Sequence, residues 1–289
     1  MRSSAGLWCM NKLVRSVAAS LSILLSSAAD AQTEIKPLWE IGAGVAAINF
    51  PIYRGANERR AYLLPVPYIA YNGEVIQVNR ERVRGLIFRK DKVEMDISMN
   101  GSVPAKSSDS VERQGMPDLD PTLEVGPSLN THFYYSDDKR VNFDMRLPVR
   151  GVVASDFKHV QSAGWLFQPQ LNLDARNVDH SGWNIGLVGG LIFADRRYHQ
   201  YFYNVAPQYA TASRPAYTAS GGYSGTQFIF AFNKREGRRW MGGFVKWDDL
   251  KGAVFADSPL VRSKQYLTFG FAITWVLDKS DKLVEVNYD

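Results

Sequence analysis

The chain has 289 residues, of which 45% are hydrophobic, 12% aromatic and 22% charged, and its mean hydropathy is −0.23. It contains no run of about 20 apolar residues, which excludes a bundle of membrane-spanning helices. A formal charge of +5 is too mild to imply a nucleic-acid partner.

Residues 1–31 read as a cleaved export signal. Lys12 and Arg15 supply a basic start, and 17–25 an apolar core too short to span a bilayer. Ala29-Asp30-Ala31 is a small-x-small cleavage site before Gln32. Met10 is a more typical start for such a signal than Met1. Cleavage removes Arg2, Lys12, Arg15 and Asp30, leaving 31 basic against 28 acidic residues. The one cysteine, Cys9, precedes the apolar core, so it is no lipoprotein anchor. The mature chain then has neither disulfides nor a Cys-ligated metal.

Beyond residue 32 the hydrophobic period is two. Strands are expected, in chain order, at 38–48, 61–71, 73–79, 82–89, 92–103, 121–135, 140–154, 164–176, 182–194, 222–233, 238–249 and 264–277. Val93, Met95, Ile97 and Met99 alternate with Glu94, Asp96, Ser98 and Asn100. Val141, Phe143, Met145, Leu147 and Val149 alternate with Asn142, Asp144, Arg146, Pro148 and Arg150. These strands run about 10–14 residues, longer than the 5–6 of soluble sheets and near the length that crosses a tilted bilayer. Aromatics such as Trp39, Phe133, Trp165, Trp183 and Trp275 fall at strand ends, where an interfacial girdle belongs. The expected fold is all-β: a transmembrane antiparallel up-and-down β-barrel of twelve strands over 32–277, with a tail at 278–289. A soluble periplasmic β protein is the competing fold.

Loop lengths support the even count. Long outer loops would be 49–60, 104–120, 155–163, 195–221 and 250–263; short inner turns would be 72–73, 89–91, 136–139, 177–181 and 234–237. Asn72-Gly73 is a type I′ hairpin signal. The stretch 73–89 is split at 79–82 to keep parity; as a single strand it would give eleven.

The lumen-facing charges are Glu40, Glu94, Asp96, Glu124, Asp144, Arg146, Arg150, Asp174 and Arg176. Two readings stay open: they line a pore and set its ion selectivity, or they pair across the interior and plug it. A Ser/His/acid site of Ser128, His132 and Glu124 would make a barrel hydrolase. Same-face strand residues four apart are about 13 Å apart, beyond hydrogen-bond reach, so a polar network is preferred. No metal spacing or nucleotide fingerprint is present, so no enzyme activity or cofactor is expected. Arg59-Arg60 and Arg196-Arg197, at loop edges, are candidates for contact with outer-membrane lipid and lipopolysaccharide phosphates.

Several loop and strand-edge segments resemble the MipA/OmpV family of outer-membrane proteins. They are Tyr53-Arg54-Gly55, Leu64-Pro65 with Tyr68 and Tyr71, and Gly115-Met116-Pro117-Asp118-Leu119 leading into Glu124-Val125-Gly126-Pro127. The Tyr-rich loop of Tyr198, Tyr201 and Tyr203 with Tyr217, and Asp257-Ser258-Pro259-Leu260-Val261, complete the set. The resemblance implies the outer membrane of a Gram-negative bacterium. It also implies a non-enzymatic scaffold joining a murein lytic transglycosylase to a murein synthase, or else a porin-like channel. One departure concerns the end of the chain. Trp275-Val276-Leu277 is followed by 278–289, which either returns to the periplasm or adds a β segment near 283–288.

Overall fold

The computed structural model describes residues 33–73, 76–78, 83–90, 92–156 and 158–287. The expected export signal lies outside the described residues. The strands are β1 (Thr33–Pro37), β2 (Trp39–Pro51), β3 (Arg59–Asn72), β4 (Ile76–Val78), β5 (Val83–Lys90), β6 (Val93–Ser102), β7 (Thr122–Tyr135) and β8 (Val141–Ser155). They continue as β9 (Val160–Phe167), β10 (Gln170–Val178), β11 (Trp183–Ala194), β12 (Gly222–Glu236), β13 (Arg239–Asp249), β14 (Gln265–Lys279) and β15 (Leu283–Asn287). Helix α1 (Arg196–Tyr203) lies between β11 and β12.

From β2 to β14 each strand except the β9–β10 pair is antiparallel to and bonded with its neighbour in the chain, and β14 pairs with β2. The ring passes through β8, which holds β9 with its outer half and β10 with its inner half. Strand β11 likewise meets both, Gly190 opposite Gln170 and Phe193 opposite Phe167. Thus β9 and β10 are two halves of one crossing, broken at Gln168-Pro169, where proline has no N–H to give the ladder. The break is bridged by Gln168 N donating to Pro148 O (3.1 Å) and Leu191 N donating to Pro169 O (3.0 Å). Counted this way, the closed barrel has the expected twelve crossings. The split between β4 and β5 is real, with Gln77 opposite Arg84.

Two local expectations are corrected. Asn72-Gly73 is not a two-residue turn, because Asn72 pairs with Gln77 and leaves four residues between them. Asn72 instead ties down the sheet end: its N–H donates to Leu38 O and its side-chain amide to Pro37 O, both at 2.8 Å. At the other end of the chain, β15 pairs antiparallel with β1, Leu283 opposite Pro37 and Asn287 opposite Thr33. The tail therefore adds a β segment. Strand β14 itself runs to Lys279, two residues beyond the expected end, through a bulge between Val276 and Asp278.

The wall is inverted relative to a soluble protein. Leu129, Leu171, Leu187, Phe228, Phe230, Phe269 and Phe271 point outward and are exposed. Glu94, Glu124, Ser128, Asn130, Asp144, Arg150, Asn172, Thr268 and Thr274 point inward and are buried. A sandwich needs the opposite arrangement. Contiguous apolar surface of this extent is stable only against hydrocarbon. Trp165 (58% exposed) and Trp275 (44%) mark opposite edges of the belt.

The two ends differ. Short turns close one end, with Lys139, Asn177, Asp179 and His180 at positive φ. The other carries the long loops, and the apolar core of the molecule sits there. Ile52, Tyr53, Leu119, Tyr203, Val205, Leu250, Phe255 and Leu260 form that core. They come from the β2–β3, β6–β7, β11–β12 and β13–β14 connections, which leave the barrel at points around its circumference, so their packing spans the mouth.

Candidate functional site

Three consecutive residues of the first loop tie the cap together. Tyr53 Oη donates to Leu260 O at 2.8 Å. Arg54 turns down toward the lumen, donating to Ser224 Oγ (3.1 Å) and Ser224 O (3.0 Å) with its Nε 3.4 Å from Asp248. Gly55 has φ +91, and a Cβ there would lie 3.1 Å from both Leu250 and Val261 side chains. Its carbonyl accepts from Arg262 N and Ser263 N. Glycine is the residue that fits both the backbone angle and the close packing.

Of the other resemblance-derived loop residues, Met116, Pro117 and Ser258 lie around the same core. Pro117 O accepts from Ser107 Oγ (2.6 Å) and Arg113 (3.0 Å), Arg113 also reaches Phe202 O, and Met116 packs on the core. Ser258 Oγ donates to Tyr203 O at 2.8 Å, and Tyr203 Oη donates to Arg54 O at 3.0 Å. Tyr203 stacks on Phe255 with centroids 3.7 Å apart. Gly115, at φ +79 with nothing near its Cβ position, serves only a turn. Asp257 is outside the core, with Lys264 3.5 Å away, and Pro259 is half-buried beside it.

Helix α1 falls inside the segment expected as the Tyr-rich outer loop 195–221. Asp195 caps it, accepting from Tyr198 N at 2.9 Å. It inserts Tyr198, His199 and Tyr203 into the cap. His199 is fully buried, with its Nδ1 donating to Ser220 O at 2.7 Å and its ring 4.8 Å from Phe255. Burial lowers the His199 pKa, so the ring is held neutral, and burial raises the Tyr203 phenol.

Below the cap the nine sequence-derived lumen charges face inward, and most are brought into contact with partners. Arg150 lies 3.4 Å from Glu124 and donates to Gln168 and to Ser98 (3.5 Å). Gln168 donates to Gln227, which donates to Asp248, each at 3.3 Å. Asp248 is also 3.5 Å from Lys246. A polar chain thus runs from β6 to β13 and up to Arg54. Nearer the turn end, Arg146 bonds Asp144 (2.7 Å) and lies 3.7 Å from Asp174, and Asn172 joins the two carboxylates. Glu40 takes a two-pronged grip from Arg235 (2.7 and 2.8 Å) and a bond from Tyr68 (2.8 Å). That pair reaches from β2 past β14 and β13 to β12. Glu94 and Asp96 are buried on the same lumen face, and Arg176 is half-buried.

Sequence reading missed Lys246, Asp248 and Gln227, although all alternate with outward Val245, Trp247 and Phe228 and carry the same signal. It also placed Arg235 in a turn, because β12 runs three residues beyond its expected end. Of the hydrolase set, Ser128 Oγ donates to Asn130 at 2.8 Å, and a bulge follows His132.

A wall that is apolar outside and ion-paired inside requires hydrocarbon around it. With long loops at one end and short turns at the other, this is an outer-membrane β-barrel protein. The chain belongs to the family of the MltA-interacting protein MipA, whose model matches residues 41–277. Among solved structures it is similar to the NanC porin, 9% identical over 81% of this chain and 100% of that chain, with a TM-score of 0.41. It is also similar to OmpT, an outer membrane protein of Vibrio cholerae, 6% identical over 87% of this chain and 98% of that chain, with a TM-score of 0.34. No curated protein matches it.

Proposed function

We propose that this barrel is a non-enzymatic scaffold of the outer membrane. It anchors murein enzymes on the periplasmic side, joining a lytic transglycosylase of the MltA kind to a murein synthase. The family name supplies the partner, and the contrast between the two ends carries the reading. The outer mouth is spanned by a packed core, and the lumen charges are largely paired. The turn end presents the β1·β15 ribbon, in which Ile35 (64%) and Leu283 (60%) are exposed. Among the described residues neither ribbon strand pairs with any other strand. Open strand edges are sites at which an extended segment of another protein adds on.

The test is capture of murein enzymes by the full chain and by a version ending at Lys279, which keeps all of β14. Enrichment by the full chain and its loss on truncation is the expected result. No enrichment by either refutes the scaffold; equal enrichment moves the contact to the turns at 136–140 and 237–238. The second reading, a narrow channel for ions or small solutes, is favoured by the polar lining of the lumen and is decided by conductance.

A further inference from the structure

The outer wall of a barrel is convex, yet here it carries a concavity of about 910 Å³. Leu171, Leu187, Gly189, Leu191, Phe228 and Trp247 define it. Gly189 lets Phe228 lie close against the wall: a Cβ there would be 2.9 Å from the Phe228 ring. Phe228 stacks on Trp247 at 5.6 Å to make one side. The Pro169 break lies at its outer end. All six residues belong to the lipid-facing register, so whatever fills the groove comes from the hydrocarbon phase.

Strand β11 leads from this groove to the outer rim. Five and six residues beyond Leu191, at most about 20 Å along the chain, stand Arg196 and Arg197, both exposed. Among the described residues neither guanidinium has a hydrogen bond or ion pair, in contrast to the other arginine pair at a loop edge. There Arg59 is held by Asn49 (2.7 Å) and Leu267 O (2.6 Å), and Arg60 by Asp109. The neighbouring carboxylate, Asp195, accepts from the N–H groups of Trp165 and Tyr198. Two free guanidinium groups above an apolar groove match an amphiphile with phosphate on its head. Their place at the loop end puts that head in the outer leaflet. We infer that the β8–β13 face is a binding site for the phosphorylated, multiply acylated glycolipid of the outer leaflet, the lipid A part of lipopolysaccharide. One acyl chain lies in the groove and a phosphate meets Arg196 and Arg197.

The test is native mass spectrometry of the mature barrel released from micelles, with bis-phosphorylated lipid A as the probe and phosphatidylglycerol as the comparison. Wild type retains lipid A in preference to phosphatidylglycerol. Changing both Arg196→Ala and Arg197→Ala weakens retention by about thirtyfold, at roughly 1 kcal/mol per basic residue. Leu187→Trp, which fills the groove from the lipid side, weakens it independently, and the heat-dependent gel shift shows that each variant is folded. Equal retention of the two lipids by wild type reduces the face to ordinary lipid contact and overturns the site. Unchanged retention in the variants does the same. A dimer that Leu187→Trp dissociates assigns the groove to a second copy instead.

Discussion

Arg54 is where loop and lumen meet. Its guanidinium reaches Ser224 and Asp248, while Asp248 is shared with Lys246. The three charges do not have equal weight. Without Arg54, Asp248 keeps a cation; without Asp248, two cations are left facing each other in a buried space. Breaking a buried pair by removing one partner costs on the order of 3 kcal/mol. Asp248→Ala should therefore lower barrel stability by about that amount, and Arg54→Ala by less, in urea unfolding followed by tryptophan fluorescence. Equal losses would show that Lys246 does not compensate. Little of this node was legible in the sequence. Tyr53-Arg54-Gly55 stood out by resemblance, but its partner is nearly two hundred residues away in the chain, and periodicity says nothing about which loop folds over which strand. Asp248 itself was legible as the polar member of the Val245–Trp247 alternation.

Helix α1 shows the same limit at the scale of an element. Arg196–Tyr203 is rich in Tyr, Phe and His, which are mediocre helix formers. Its cap at Asp195 and its burial under Phe255 hold it in place, and neither is a local signal of the hydrophobic kind. His199 makes this element sensitive to pH. The groups facing it are Arg54, which lowers its pKa further, and Asp195 and the Ser220 carbonyl, which raise it; burial outweighs them. A base whose folded pKa is lowered binds fewer protons folded than unfolded. The cap is thus fully stable above about pH 6.5 and loses stability as pH falls from there toward the lowered folded value. Protection of the α1 amides, measured as hydrogen exchange relative to the intrinsic rate at each pH, should fall as pH drops from about 7.5 to about 5, and His199→Leu should flatten that dependence. An α1 equally protected at both pH values in the wild type would contradict it. The strands were far more legible, because alternation is a local signal. The exceptions were the Pro169 break, hidden inside a good alternating pattern, and Asn72, which donates to Pro37 at the end of β1 and to Leu38 between β1 and β2.

For the whole molecule, the number of crossings, the belt and the polarity of the lumen followed from period and loop length. Whether the lumen is filled did not, because pairing across the barrel depends on register around the full circle. Arg235 gripping Glu40 across two intervening strands is a contact of that kind. So is the chain from Ser98 through Arg150, Gln168 and Gln227 to Asp248. Together with a cap core drawn from four outer loops, these contacts favour the proposed scaffold, a barrel that holds position in the membrane, over the channel. Single-channel recording of the full barrel in planar bilayers tests this most directly. The closed account predicts no steady ion conductance in the wild type, with conductance appearing when 196–220 is replaced by a short loop and Arg54 by Ala. Steady conductance through the intact wild-type barrel would contradict it.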